Sequence, residues 1–193
     1  MGRPREFDLD QALDRALALF WRNGYEGTTL ADITEALGVT KPSLYAAFGN
    51  KEDLFRKALD RFYQTHLHFI DTALAKPHAL EVAQAMLDGY ILVMTGQQTP
   101  AGCLNINGAL VCSNASESIQ KELTTRRAAD EEKLCERLTR AKEEGDLPAS
   151  SDPAELARFI MTMACGLSVQ AKAGASREAL QQVAATALHA WPQ

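Results

Sequence analysis

Apolar residues recur along the chain at the three- and four-residue spacing of amphipathic helices, and no clear run alternates between apolar and polar positions as a strand would. The first stripe consists of Leu9, Leu13, Ala16, Leu17 and Phe20. It predicts a helix from about Leu9 to Asn23, with Asp8 as the N-cap and Gly24 as the stop. Composition points the same way, because 31 Ala and 24 Leu stand against 6 Val and 6 Ile. We predict an all-α fold.

Two short helices follow, each with its own cap. A threonine pair at 28–29 opens one that ends near Leu37, with Gly38 as its stop. Thr40 caps the next, and Pro42 fits its first turn, where no amide donor is needed. Because so few residues join these helices, they must cross steeply, as in a helix-turn-helix.

The remaining helices are predicted from spacing, caps and stops. They run over about Asn50 to Ala75, Ala79 to Met94, Cys103 to Val111, Glu117 to Glu144, Pro153 to Ala171, and onward from Ser176. We expect two domains: residues 1–50 as a three-helix unit with a basic arm, and residues 51–193 as a larger helical domain.

The third helix has an unusual exposed face. The predicted small core of the three-helix unit contains Ile33, Leu37, Val39, Leu44 and Phe48. What remains outside on the third helix is Thr40, Lys41, Ser43 and Tyr45. Such a helix can enter the major groove, about 12 Å wide, and present donors to bases and phosphates. The alternative is a three-helix packing unit without a nucleic-acid role.

The ordered pattern from Phe7 to Asp60 resembles the DNA-binding domain of the tetracycline-repressor (TetR) family of regulators. The matching residues include Phe20, Gly24, Tyr25, Thr28, Thr29, Ile33, Leu37, Gly38, Val39, Thr40, Leu44, Tyr45, Phe48, Lys51, Glu52 and Leu54. Thr34 and Ala47 depart from the usual pattern, and Ala47 removes a possible phosphate donor. The resemblance implies a homodimer held by a four-helix interface and a small-molecule pocket among the middle helices.

The N-terminal arm, Gly2-Arg3-Pro4-Arg5, suits the narrow minor groove of A·T-rich DNA, although it could equally be a solubilising tail. Residues 1–63 hold nine basic and ten acidic side chains, so DNA binding requires the charges to be segregated. The candidate DNA contacts are Arg3, Arg5, Thr29, Thr40, Lys41, Pro42, Ser43, Tyr45 and Lys51.

A short recognition helix makes few contacts, so two copies related by a dyad are expected to read the two half-sites of a palindrome. Apolar stripes on the last two helices could join the copies or bury against their own core. The candidate dimer residues are Phe159, Met163, Leu167, Leu180, Val183, Ala184, Ala187 and Leu188. For the effector pocket, the candidates are Phe69, Tyr90, Met94, Asn107 and Met161, with core packing as the alternative.

Asn105 and Asn107 lie in an apolar segment, where each amide must be satisfied internally or point at a ligand. Cys103 and Cys112 could form a redox switch, but buried thiols are the simpler interpretation. The histidines are too scattered for a metal site, and we predict no metal and no cofactor.

Several function classes are disfavoured. We see no secretory signal, no membrane span, no catalytic constellation and no phosphate loop, which favours a cytoplasmic protein that is not an enzyme. The net charge is -5. The sequence therefore predicts a ligand-responsive transcriptional repressor that binds a double-stranded operator as a homodimer. An all-α protein-interaction module, or an activator without small-molecule control, is the alternative.

Overall fold

The computed structural model describes residues 8–107 and 116–192, and in this part of the chain all regular structure is helical, as predicted. The helices are α1 (Leu9–Asn23), α2 (Leu30–Leu37), α3 (Lys41–Phe48), α4 (Lys51–His66), α5 (Phe69–Leu74), α6 (Ala79–Met94), α7 (Leu104–Asn107), α8 (Glu117–Glu143), α9 (Pro153–Lys172) and α10 (Arg177–Leu188). None of the described helices has an apolar stretch long enough to cross a membrane.

The predicted caps of the first three helices are present. Asp8 accepts hydrogen bonds from the first-turn amides of α1, and Thr40 accepts one from the Ser43 amide of α3. Thr29 forms a capping box with Asp32 at the start of α2. Gly38 ends α2 in the left-handed conformation, which glycine adopts without steric cost. These local bonds fix the lengths of three helices before any tertiary contact is considered.

The predicted helix from Asn50 to Ala75 is wrong in one respect, because it is two helices. α4 ends at His66, and the Leu67 amide donates to the carbonyls of both Phe62 and Tyr63. The chain then turns and continues as α5. The Leu67 side chain is buried at this turn. Tertiary burial therefore ends the helix here, at a point where the sequence contains no glycine or proline.

The segment predicted as a helix over Cys103 to Val111 is described only in part. Its helical portion is α7, and residues 108–115 lie outside the described range.

One continuous apolar core joins the N-terminal helices to the rest of the molecule. α4 packs along α1, while α6 packs against α5, α9 and α10. Trp21 on α1 is buried and donates its indole N–H to the Gly102 carbonyl at 2.8 Å. Lys172 at the end of α9 donates to the Arg22 carbonyl at 2.8 Å. The three-helix unit is therefore attached to the larger helical body through α1 as well as through α4.

Candidate nucleic-acid interface

The third helix is fixed on its inner side and at its C-terminal end. Leu44 and Phe48 are buried in the core. Lys57, from α4, donates its ammonium to the Phe48 carbonyl at 3.1 Å. A cation at the carbonyl end of a helix also interacts favourably with the helix dipole. These contacts hold α3 in one orientation on α4.

The outer side of α3 is open to solvent, as the sequence predicted. Thr40, Lys41, Pro42 and Ser43 are all exposed, and Tyr45 is 46% exposed. The hydroxyl oxygens of Thr40 and Ser43 lie 3.0 Å apart. One of these hydroxyls donates to the other, so the second can still donate to a phosphate or a base.

Two further candidates flank α3. Thr29 accepts from the Asp32 amide through Oγ1, while its own amide donates to the Asp32 carboxylate at 2.7 Å. These bonds, the backbone one first, lower the pKa of Asp32 and keep it ionised. The Thr29 hydroxyl proton is not used in this capping box, so it remains available to a phosphate oxygen.

Lys51 begins α4, and its Nζ lies 4.2 Å from the centroid of the Tyr25 ring. The side chain is half-buried, and its partial burial lowers the pKa of the ammonium group. The ring therefore holds the cation in place, in a cation–π arrangement that was not predicted from the sequence.

Two acidic residues of α1 are engaged in ion pairs within the subunit. Arg61 of α4 binds Asp14 at 2.8 Å and lies 3.7 Å from Asp10. Within the described part of the chain, Lys41 forms no ion pair. Its positive charge is therefore available to an external anion. The arm residues Arg3 and Arg5 lie outside the described residues.

A run of charged side chains connects α4 to α8. Arg56 pairs with Glu52 and binds Glu122 of α8 at 2.8 Å. Arg126 of α8 reaches back to Asp60 at 2.6 Å and to Glu122 at 2.7 Å. Acidic and basic groups thus alternate along the two helices and fix their relative register. The chain segments involved are more than 60 residues apart, so no local pattern along the chain indicates these pairs.

The structure places the candidate pocket residues in or near the core. Phe69 packs its ring edge-on against Tyr90 with 5.2 Å between the centroids. Tyr90, Met94 and Met161 are all buried. The side chain of Asn107 lies outside the described set. Gly89 admits Phe69, because a β-carbon there would lie 2.1 Å from the ring. An aromatic pair therefore links α5 to α6 at the predicted pocket.

The candidate dimer residues divide by exposure. Phe159 and Val183 are exposed, at 36% and 47%. The half-buried members are Met163, Ala187 and Leu188. The remaining three, Leu167, Leu180 and Ala184, are already buried within the subunit, so they have little surface left for a partner. The dimer surface stays a prediction, with its area concentrated on the exposed residues of α9 and α10.

Cys103 is buried, and burial raises the pKa of its thiol to about 12. Because the thiolate is the reactive form, this favours the simpler interpretation of Cys103 as a packed thiol. Cys112 lies outside the described residues. No group of three or more candidate metal ligands is found in the part of the chain that the structure describes.

A short capped helix that displays a polar face outward after a tight turn is typical of the helix-turn-helix class of DNA-binding proteins. Comparison with known proteins identifies the family. The model for bacterial regulatory proteins of the tetR family matches residues 12–58. The tetracyclin repressor-like C-terminal domain matches residues 79–187. The chain therefore belongs to the TetR family of transcriptional regulators.

Individual relatives extend over nearly the whole chain. The HTH-type transcriptional repressor ComR of Escherichia coli K12 is 41% identical over 201 aligned positions, covering 100% of this chain and 92% of ComR. A cysteine-substituted TetR family regulator, CifR, solved with 26-base-pair operator DNA, is 43% identical with a TM-score of 0.93, covering 99% and 100% of the two chains. A TetR regulator from Rhodococcus is 42% identical with a TM-score of 0.65, covering 95% and 98%.

Proposed function

We propose that this protein is a transcriptional repressor that binds a palindromic operator as a homodimer and is released by a small-molecule effector. The observation that carries the proposal is the display of Thr40, Lys41, Ser43 and Tyr45 on the solvent side of α3. ComR, which is similar to this chain over all of this chain's length, is named a repressor, and CifR was solved with operator DNA.

In this mechanism α3 enters the major groove, while Thr29 and Lys51 contact phosphates on either side. First-turn amides that no cap engages, such as that of Lys51, can also donate to DNA phosphates. We propose residues 1–50 as the DNA-binding domain and residues 51–193 as the effector and dimer domain. α4 lies at the boundary, because it packs on α1 and also pairs with α8.

The exposed residues of α9 and α10 support a dimer with two α3 helices facing the same side of the duplex. Half-sites are then expected about one helical turn, or a small multiple of it, apart. An effector among the middle helices would favour a spacing of the two α3 helices that no longer matches the grooves. Its effect on operator affinity equals the difference in its affinity for the two spacings.

The test is a selection from random duplexes followed by binding measurements on the enriched sequence. We expect an enriched palindrome, and we expect Tyr45→Ala to weaken binding strongly. Lys41→Ala should weaken binding and reduce the slope of log affinity against log salt by about 1, because one phosphate contact is lost. The matched control is Lys121→Ala, which removes an exposed lysine of α8.

Each outcome has a clear meaning. No enriched palindrome would favour the alternative of a protein-interaction module. If Tyr45→Ala bound the palindrome with unchanged affinity, Tyr45 would not be part of the DNA interface. A dimer that persists in both variants, measured by analytical ultracentrifugation, separates loss of DNA contact from loss of assembly.

A further inference from the structure

Asp130 on α8 is the one acidic side chain that is buried among the described residues, at 4% exposure. Its carboxylate accepts one hydrogen bond, from the Tyr63 hydroxyl at 3.0 Å. No described lysine, arginine or histidine forms an ion pair with it. Burial raises the pKa of Asp130, since a carboxylate charge is costly away from water. Lys133 and Arg126 oppose this effect of burial, but neither forms an ion pair with the carboxylate, so the buried charge is incompletely compensated.

Asn105 on α7 extends the same cluster. Its side-chain N–H donates to the Tyr63 hydroxyl at 2.6 Å, so Tyr63 bridges Asn105 and Asp130. The other amide atom, Oδ1, is buried and receives no hydrogen bond. The single Tyr63 proton is already directed to Asp130. The cluster therefore has more acceptor oxygens than protein donors.

The cluster borders a space that solvent can enter. Tyr63 and Asp130 line an open cavity of about 270 Å³ between α4, α5 and α8. Leu67 and Ile70 provide apolar lining, and Asp71 adds a second acid. A ligand suited to this cavity combines a short apolar body with a hydrogen-bond donor that carries positive charge.

The nearby cationic side chains of the protein do not neutralise the Asp130 carboxylate by forming an ion pair with it. Arg126 lies 5.2 Å from the Tyr63 ring centroid, but its guanidinium already binds Asp60 and Glu122. Lys133 also lines the cavity and is exposed to solvent, and it forms no ion pair with Asp130. A buried water could supply a donor to Asn105, but it would bring no charge to Asp130.

We propose that the effector is a small organic cation, a protonated amine, that binds between α4 and α8 with its ammonium group on Asp130 beside Tyr63. This inference rests on the proposed function, since it names the chemical class of the effector. A ligand at this position can influence the DNA-binding helix through α4. Tyr63 belongs to α4, which packs on α1 and whose Lys57 bonds to the C-terminal end of α3. A cation bound beside this hydrogen bond would alter the contact that Tyr63 and Asp130 make between α4 and α8.

The test uses the intact protein and three ammonium probes: n-butylammonium, benzylammonium and 1,4-diaminobutane. Each is compared with its neutral alcohol by isothermal titration calorimetry at pH 7.5. The variant is Asp130→Asn, which keeps the shape and the acceptor for Tyr63. The matched control is Glu132→Gln, which removes one exposed acid of the same helix. We expect at least one ammonium probe to bind the wild type and Glu132→Gln alike, and Asp130→Asn about tenfold or more weakly.

Three outcomes would overturn the site. These are the absence of binding by all three ammonium probes, equal binding of a probe and its alcohol, and equal binding of the probe to Asp130→Asn and to the wild type. Operator affinity is measured on the same proteins with and without the probe. A probe that binds through Asp130 but leaves operator affinity unchanged overturns the effector role. If no palindrome is bound even without probe, the repressor function fails, while the calorimetry still decides the site.

Discussion

Two polar regions of this molecule are assembled over very different distances along the chain. On α3, the Thr40 hydroxyl bonds to Ser43 three residues away, and α2 begins with the Thr29–Asp32 box at the same spacing. Between α4 and α8, Tyr63 is joined to Asn105 and Asp130, which are 42 and 67 residues away. The exposed side chains of the first region can change without disturbing the core, whereas the second region joins α4, which packs on α1, to α7 and α8.

This difference matters for regulation. The surface proposed to read DNA is pre-formed by local bonds, so its shape varies little. The contacts between α4 and α8 are formed by side chains from separate helices. A small shift between these two helices therefore changes the position of α4 and of the three-helix unit that packs on it. Three predictions test this contrast, in order of expected size.

The largest effect is expected at the α1 junction. Trp21→Ala should lower the free energy of unfolding by about 3–5 kcal/mol, because a buried indole leaves a large cavity. Trp21→Phe keeps most of the apolar contact but leaves the Gly102 carbonyl without its donor, which costs about 1–3 kcal/mol. Urea denaturation followed by far-UV circular dichroism measures both. If Trp21→Ala lost less free energy of unfolding than Trp21→Phe, the packing of Trp21 at this junction would contribute little to stability.

The second effect concerns pH and Asp130. A raised pKa means that the fold prefers the protonated acid, so wild-type stability falls as pH rises through the folded-state pKa. Asp130→Asn has no such loss, so it should be more stable than the wild type near pH 8. The difference should vanish as pH approaches the ordinary aspartate value near 4. We expect this gain in the free energy of unfolding to be smaller than the loss caused by Trp21→Ala.

Thermal unfolding of both proteins across this pH range measures the difference. Glu132→Gln is the control, and its difference from the wild type should stay nearly flat. A stability difference for Asp130→Asn that grows as pH falls would contradict the burial of an ionised Asp130.

The smallest effect is expected at the α3 cap. Thr40→Ala should cost about 1 kcal/mol, because the first turn of α3 loses its side-chain acceptor. Thr40→Ser retains an oxygen at the same position and should recover most of that loss. Chemical denaturation measures stability, and hydrogen exchange of the Ser43 amide reports the cap itself. If alanine and serine behave alike, the cap does not hold the helix.

The sequence allowed α1, α2 and α3 to be predicted closely, because caps at Asp8, Thr29 and Thr40 act within three residues. The turn at Leu67 was missed, since burial of that side chain depends on helices far along the chain. For Asn105, internal satisfaction and a ligand contact were both open from the sequence; the structure shows its amide N–H satisfied by Tyr63, while its Oδ1 receives no hydrogen bond.

The candidate site shows the same division. The exposure of Lys41 and Tyr45 followed from the local pattern of buried positions. The clamp from Lys57 to α3 and the placement of Lys51 over Tyr25 were not predicted, because neither pair is marked by a motif. Pairing across helices depends on angles between helix axes, which the spacing of apolar residues within one helix does not contain.

The indole of Trp21 has one more consequence. The chain contains only two tryptophans, and the other is Trp191, just beyond the end of α10. Replacing Trp191 with phenylalanine would leave a single tryptophan, in edge contact with Phe62 and His66 and hydrogen-bonded to the Gly102 carbonyl. Its emission could then follow movement at this joint in real time, without any attached dye.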